Sequence, residues 1–360
     1  YCKLKARLSH LGICVLLIKS KLKKKEKEAV ISQLKEARGL IVIGTHALVQ
    51  GYVEINNLGV VIIDEQHRFG VNQRLALRKK GHSPHCLFMT ATPIPRTFML
   101  TCFGDLDKSI IDELPPGRIP PKTYFIRPKS FSRILSHLQS TLSEGQQIYV
   151  VYPLIEESEK LDLKSAMEGF EWFQNHFTDY KVGLIHGRLH PDEKSRIMTE
   201  FKDNKIQILV ATTVIEVGID VPNASLMIIQ HVERFGLSQL HQLRGRIGRG
   251  KAAANCYLVG DPKTENANKR VHAMLETCDG FKLSEYDVLI RGPGDILGTR
   301  QSGLPDFAIA DVMRDEKVLL SARKIAFKIV DEDQQLEQVP HQAMKQHLEK
   351  QVFFKTQQLN

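Results

Sequence analysis

The stretch VVIIDEQHRFG, Val60 to Gly70, decides how this chain folds. Four β-branched apolar residues run straight into adjacent carboxylates, Asp64 and Glu65. Such side chains pack well on a pleated surface, and an unbroken run of them reads as a strand buried on both faces of a parallel sheet. Open α/β sheets place ligand chemistry at the carboxyl ends of their strands, where these two acids fall. One carboxylate can hold a hydrated divalent cation while its neighbour orients or deprotonates a water. A polar turn closing a core strand is the better account of a lone Asp-Glu pair. Here Gln66 and His67 follow directly and further motifs recur downstream, which favours chemistry.

Outward from that strand, residues 1–115 alternate short apolar runs with amphipathic stretches, the pattern of βα units. Ile13–Leu17, Leu40–Ile43 and His85–Met89 are the other candidate strands. Lys19 to Lys27 holds six lysines and one glutamate, the composition of a solvated helix start. The cluster from Leu114 through Pro115, Pro116, Gly117, Pro120 and Pro121 suits neither helix nor sheet, so 116–121 reads as an interdomain linker. A second βα series fills 122–262, with candidate strands Gln147–Tyr152, Lys181–Ile185, Ile206–Ala211, Leu226–Ile229 and Cys256–Val259. Two consecutive series of similar rhythm imply a duplicated α/β architecture, two parallel-sheet domains with a cleft between them. Past Asp261 the strand signal fades. Residues 263–360 read as a mostly helical tail, with helices near 267–278 and 311–330, a Gly-rich loop over Arg291–Leu304, and an exposed or frayed end after Asp331.

Composition narrows the class. At 360 residues with 42% apolar content the chain can bury real cores. A net charge of +9 and a pI near 9.1 point to a polyanionic partner, nucleic acid before membrane. The six cysteines show no CxxC pairing, which fits a reducing compartment and indicates neither a zinc site nor a disulfide framework. No apolar run approaches the roughly 20 residues that span a bilayer. No signal peptide opens the chain, and its first residue is Tyr1 rather than Met, as in a fragment.

Four further segments bear on chemistry. QLRGRIGRG, Gln242 to Gly250, packs several guanidinium forks onto one short element, which suits either stabilisation of a transferring phosphoryl group or a general phosphate patch. Ala211 to Pro222, containing Gly218 and Asp220, offers hydroxyls, a flexible glycine and an acid after a strand; a helix cap explains part of it. Thr90-Ala91-Thr92 also follows a strand, where a Thr-capped turn is the plainer account. Gly44-Thr45-His46 follows another and reads equally as a backbone-gripping element or a capped turn.

Taken in order, these segments resemble superfamily 2 helicases, whose two RecA-like domains hydrolyse ATP in their shared cleft. DEQH matches the DExH box, TAT the third motif and QLRGRIGR the sixth. A more specific likeness is to the RecG family of branched-DNA translocases. Asp64 to Val71 with Gln73 and Arg74, Thr90 to Arg96, Gly104 to Asp107 and Asp112 to Arg118 carry it, as do Arg291 to Asp295 and Gly298 to Pro305, which are similar to its translocation motif. Transcription-repair coupling factors share the plan but typically place a second Glu where this chain has Gln66-His67. A non-catalytic nucleic-acid-binding remnant is the rival from another class.

The resemblance implies two RecA-like domains, the first truncated at its N-terminus, and a set of roles. Asp64 would coordinate Mg²⁺ through water and Glu65 would activate the attacking water. Gln66 and His67 would sense the γ-phosphate of ATP, and Thr90 and Thr92 would couple hydrolysis to DNA grip. Gly218, Asp220 and Gln242 would face the nucleotide, and Arg246 and Arg249 would act as arginine fingers. Gly44, Thr45 and His46, with Arg291, Asp295, Arg300 and Gln301, would grip and push DNA. It also implies branched double-stranded DNA as partner, a single-stranded DNA-binding protein as a candidate second one, monomeric action, and a bacterial cytoplasmic, nucleoid-associated location. One departure matters: no GxxxxGK[ST] phosphate loop occurs in these 360 residues, so the polypeptide as given is expected not to hydrolyse ATP. The family's Thr-Gly-Ser is replaced by Ile18-Lys19-Ser20. With a sheet strand missing, the Val60–Ile63 region is expected to expose apolar surface.

Overall fold

Short β-branched runs separated by amphipathic stretches become parallel strands joined by helical crossovers, since parallel strands need a long connection. The computed structural model describes residues 1–19, 24–36, 39–55, 57–66, 69–91, 106–153, 159–212, 220–250, 252–291 and 315–350. The chain divides into two compact units, Tyr1–Thr92 and Pro93–Asn360.

In the first unit, α1 (Cys2–Leu8) precedes β1 (Cys14–Ile18), and α2 (Lys24–Glu36) crosses to β2 (Leu40–Gly44), which pairs with β1 in parallel. Then β3 (Val60–Ile63), α3 (Val71–Arg78) and β4 (His85–Phe88) repeat the unit, with Val60 opposite His85 and Ile63 opposite Phe88. Val61, Ile63 and Leu77 form a small core, flanked by Leu48, Phe69 and Phe88. Burial of β3 on both faces is corrected by the structure. Val60 and Ile62 are 56% and 61% exposed, and Leu87 beside them on β4 is exposed too. Successive strand residues point to opposite faces, so Val61 and Ile63 turn inward while Val60 and Ile62 turn away. Among the described residues nothing covers that second face.

The second unit is built on one six-stranded parallel sheet of order β5-β10-β9-β6-β8-β7. Its strands are β5 (Lys122–Ile126), β6 (Gln147–Tyr152), β7 (Val182–Ile185), β8 (Ile208–Thr212), β9 (Ala224–Gln230) and β10 (Asn255–Val259). The central strands β6, β8 and β9 are almost wholly buried, and alternation sends their residues into two cores. Tyr149, Val151, Leu209, Ala211, Met227 and Ile229 face one. There they meet α6 (Pro191–Lys202), α7 (Leu237–Arg244), α8 (Glu265–Glu276) and α9 (Gly280–Arg291), through Phe201, Leu240, Met274 and Leu283. Ile148, Val150, Ile208, Val210 and Ile228 face the other, against α4 (Leu135–Ser143) and α5 (Glu159–His176) through Leu138, Leu142 and Phe173. Each fully buried side chain of this kind contributes about 1.5–3 kcal/mol. Gln147 is buried at the start of β6, and its amide donates to the carbonyls of Phe201 and Ile206 at 2.5 and 2.7 Å.

Strand positions match expectation to within a residue or two, except that β5 was not among the expected strands. It is a half-exposed edge strand that enters directly after Pro120-Pro121. Beyond α9, the tail contributes α10 (Glu316–Glu332) and α11 (Gln342–Lys350). Between them Asp333 accepts the backbone N–H groups of Glu337 and Gln338 and pairs with His341 Nδ1 at 2.8 Å. No helix among the described residues is long and apolar enough to cross a membrane.

Candidate functional site

In the first unit the singled-out residues lie at the carboxyl ends of β2, β3 and β4. Asp64 is exposed where β3 ends, and its Oδ1 accepts the Glu65 N–H at 2.9 Å. Glu65 sits in the left-handed region at φ +50°, a conformation that costs a non-glycine residue about 1–3 kcal/mol and recurs at functional turns. Gln66 is buried, its N–H donates to the Met89 carbonyl at 3.0 Å, and its Oε1 has no partner among the described residues. The Gln66 bond and that from the Met89 N–H to the Ile63 carbonyl at 2.8 Å lock the acidic turn beside β4, one residue before Thr90. Thr90 is half-buried there. His67 and Thr92 lie outside the described residues.

Gly44 ends β2 where no larger residue fits: a Cβ would sit 2.8 Å from the Ile18 carbonyl oxygen and 2.8 Å from Leu48 Cγ. Thr45 and His46 follow, both exposed, and the His46 ring stacks on Phe69 at 4.5 Å with a 13° interplanar angle. This stack brings the Gly44-Thr45-His46 segment beside the acidic turn.

In the second unit the arginine run begins on α7 and leaves it through a glycine-built turn. Gly248 adopts φ +71°, with Ala254 Cβ and Pro121 Cγ so close that only glycine is comfortable. Arg249 leaves this turn to donate through Nε to the Gly245 carbonyl at 3.3 Å and through Nη1 to Asp220 Oδ1 at 3.2 Å. Two residues separated by 29 positions, both singled out from the sequence, thus form one ion pair. Arg246 belongs to the same cluster. Burial holds the Tyr149 hydroxyl far above its ordinary range, Arg246 and Arg249 pull it down, and Asp220 pushes it up, so all three charges reach one buried atom. Gln242 is half-buried on α7. Gly218, Asp295, Arg300 and Gln301 lie outside the described residues, and Arg291 closes α9.

Arg244 behaves differently from its neighbours. It is 2% exposed and donates to the Met274 carbonyl at 2.8 Å and to Thr123 Oγ1 at 3.2 Å. Beside it, burial and then the Arg244 charge push His241 down to about 4, so that ring is neutral at pH 7. Sequence reasoning gave roles to Arg246 and Arg249 and none to Arg244. The signal that separates them is helical spacing, since Arg244 shares the buried stripe of Leu237 and Leu240. Arg118 was also missed as a site-supporting residue: its Nη2 donates to the Gly245 carbonyl at 3.2 Å, which ties the Pro-rich segment to the arginine turn.

Comparison with known proteins follows the same division. Family models match at residues 1–100 (DEAD/DEAH box helicase), 129–251 (helicase conserved C-terminal domain) and 277–357 (ATP-dependent DNA helicase RecG, domain 3, C-terminal). The chain is 49% identical over 322 residues to the ATP-dependent DNA helicase RecG of Bacillus subtilis, covering 89% of this chain and 47% of that one. It is 50% identical over 335 residues to the RecG of Streptococcus pneumoniae, covering 93% of this chain and 50% of that one. It therefore spans about half the length of the curated relatives it matches. A solved structure of RecG bound to a three-way DNA junction aligns with a TM-score of 0.68 at 44% identity, over 89% of this chain and 41% of that one. The DNA-bound helicase MrfA, at 16% identity and a TM-score of 0.56, shares the fold alone. The fold is α/β of the RecA-like kind. The RecG-specific match over 277–357 separates the chain from transcription-repair coupling factors, and the chain belongs to the RecG family of ATP-dependent DNA helicases.

Proposed function

We propose that this chain forms the motor portion of an ATP-driven translocase that remodels branched DNA, such as replication forks and Holliday junctions, in recombination and repair. The observation that carries the reading is Arg249, held between the Gly245 carbonyl and Asp220 with Arg246 alongside. Pinned guanidinium groups are what a phosphoryl-transfer site needs, because they are worth about 10³–10⁵ in rate when placed at the transferring group. That a relative was solved on a three-way DNA junction supports branched DNA as substrate.

In this reading Asp64 holds Mg²⁺ through water. The fit is to a hydrated ion: one exposed carboxylate has one oxygen already engaged by a backbone N–H, and among the described residues no group of three His, Cys, Asp or Glu makes a cage. Bound Mg²⁺ and ATP supply the charge-neutralised phosphoryl group. Glu65 orients and deprotonates the water, Gln66 and His67 read the phosphate, and Gly218, Asp220 and Gln242 contact the nucleotide. Thr90 and Thr92 pass the change to Gly44, Thr45 and His46 at the DNA, and Arg291, Asp295, Arg300 and Gln301 act as the lever. We place the protein in the bacterial cytoplasm as a monomer, with single-stranded DNA-binding protein as a second partner.

A chimera tests this, with the chain replacing the matching half of the Bacillus subtilis relative. Junction-stimulated ATPase and fork unwinding should both be present, and Arg249→Ala should lower ATP turnover about 10³-fold or more with the melting temperature unchanged. An Arg249→Ala chimera with near-parental turnover would sink the assignment; a folded chimera with no junction-stimulated ATPase would favour the non-catalytic remnant.

A further inference from the structure

At the carboxyl ends of β5, β6, β9 and β10, a cavity of about 510 Å³ opens against α5. Chain order explains why it is there. β6 continues toward β7 at one edge of the sheet, whereas its neighbour β9 continues toward β10 on the other side. Connections that diverge in this way leave the crevice in which α/β proteins take ligands. None of the site residues singled out from the sequence lines it. Its walls are aromatic, from Phe131, Tyr152 and Trp172, and Trp172 meets Phe131 edge-on at 5.5 Å. Glu168, Glu233 and Asp261 line it as well; Glu168 pairs with Lys164 at its exposed rim at 3.7 Å, Glu233 lies 3.7 Å from the lining His231, and no Lys or Arg is among the described lining residues. In a chain of net charge +9, this acidic pocket runs against the whole.

Several details hold its shape. Tyr152 is 7% exposed, yet its hydroxyl has no hydrogen-bond partner among the described residues and lines the cavity. Burial pushes that hydroxyl up to about 12, and Glu168 adds to the push, which sets this carboxylate close by. That hydroxyl opens onto the cavity, where a guest can bond it. Tyr152 reaches this position only because residue 169 is glycine, since a Cβ there would overlap the hydroxyl. A Cβ at Gly260 would likewise overlap Glu233 Oε2, which is further fixed by the Asp261 N–H at 3.2 Å.

We propose that this cavity binds the guanidinium group of an arginine presented by another polypeptide. A planar, weakly hydrated cation stacks on aromatic faces and meets carboxylates through paired N–H donors. The Tyr152 hydroxyl offers one more acceptor. A compact, strongly hydrated ammonium uses aromatic walls less well, and a nucleic acid strand would bring phosphates against three carboxylates. Nothing in the proposal depends on ATP turnover, so it stands apart from the motor reading.

Trp172 is the only tryptophan in the chain, so its emission reports the cavity directly. The 360-residue protein would be titrated with acetyl-Gly-Arg-Gly-amide and with the citrulline peptide, which keeps the shape and removes the charge. A saturable emission change is expected with arginine, about tenfold weaker with citrulline. Glu168→Gln, at an exposed helix position, and Glu233→Gln, with its fold checked by circular dichroism, should each weaken arginine binding severalfold. No response to arginine, equal affinity for citrulline, or unchanged binding in both variants would each overturn the proposal. So would a short oligothymidylate producing the response that the peptide does not.

Discussion

Arg244→Met should destabilise the second unit by about 1–3 kcal/mol. The guanidinium is 2% exposed and donates to the Met274 carbonyl at 2.8 Å and Thr123 Oγ1 at 3.2 Å. Among the described residues no carboxylate answers its charge. Two helix ends do: Arg244 is the last residue of α7, and Met274 lies in the last turn of α8. The carbonyl end of a helix carries about half a negative charge, so two of them offset roughly one guanidinium. Methionine keeps most of the apolar stem, and the part-buried Thr123 hydroxyl can accept from water in place of the guanidinium. What remains is one buried carbonyl without its donor, which costs about 1–3 kcal/mol. At about 2–4 °C per kcal/mol for a domain of this size, the melting temperature should fall by roughly 2–12 °C. Thermal and urea unfolding followed by Trp172 emission reads the unit that contains Arg244. Arg249→Met, which breaks only a partly exposed pair, should stay within about 0.5 kcal/mol. If Arg244→Met equals or exceeds the parent in stability, desolvation of the guanidinium outweighs the helix ends and the reasoning fails.

Three other outcomes are expected. His241 is held near 4 against an ordinary 6.5, so the unfolded chain takes up a proton that the folded one refuses. Its contribution is complete above pH 6.5, falls as pH drops toward 4 and is then fully lost, with a ceiling of ~3 kcal/mol. His241→Gln should therefore flatten the urea midpoint between pH 7 and 4 relative to the parent; an unchanged slope would show that this ring does not titrate as described. Gly44→Ala should cost the first unit about 1–3 kcal/mol, because the added carbon meets a backbone oxygen that cannot yield, and proteolysis as slow as in the parent would refute it. The 360-residue polypeptide, which contains no GxxxxGK[ST] run, should release no phosphate from ATP with or without DNA; measurable DNA-stimulated release would overturn that expectation.

Much of the fold was legible because strands and helices repeat with different periods. Val60–Ile63 and Gln147–Tyr152 were placed to the residue. The same run of four apolar residues could not tell one covered face from two, because alternation is invisible when every position is apolar. β5 was lost because it is short, sits at a sheet edge and follows two prolines. At the site, the residue types of the DEQH and QLRGRIGR segments suggested chemistry. The pairing of Arg249 with Asp220 was not, since only the folded chain brings β8's outgoing segment to the arginine turn. Nor was the division of labour within that run, where helical phase buries Arg244 and the turn at Gly248 carries Arg249 to the surface. Residues Gly218, Thr92 and Asp295 remain readings of the sequence.

That division has a consequence for ionic strength. The Met274 carbonyl that holds Arg244 is buried out of reach of counterions, and guanidinium does not titrate at accessible pH, so its anchorage should be indifferent to salt. The Arg249–Asp220 pair is partly open to solvent and is screened within a Debye length of about 8 Å at physiological salt. Potassium chloride can therefore loosen Arg249 from Asp220 without loosening the arginine that ties the end of α7 to α8.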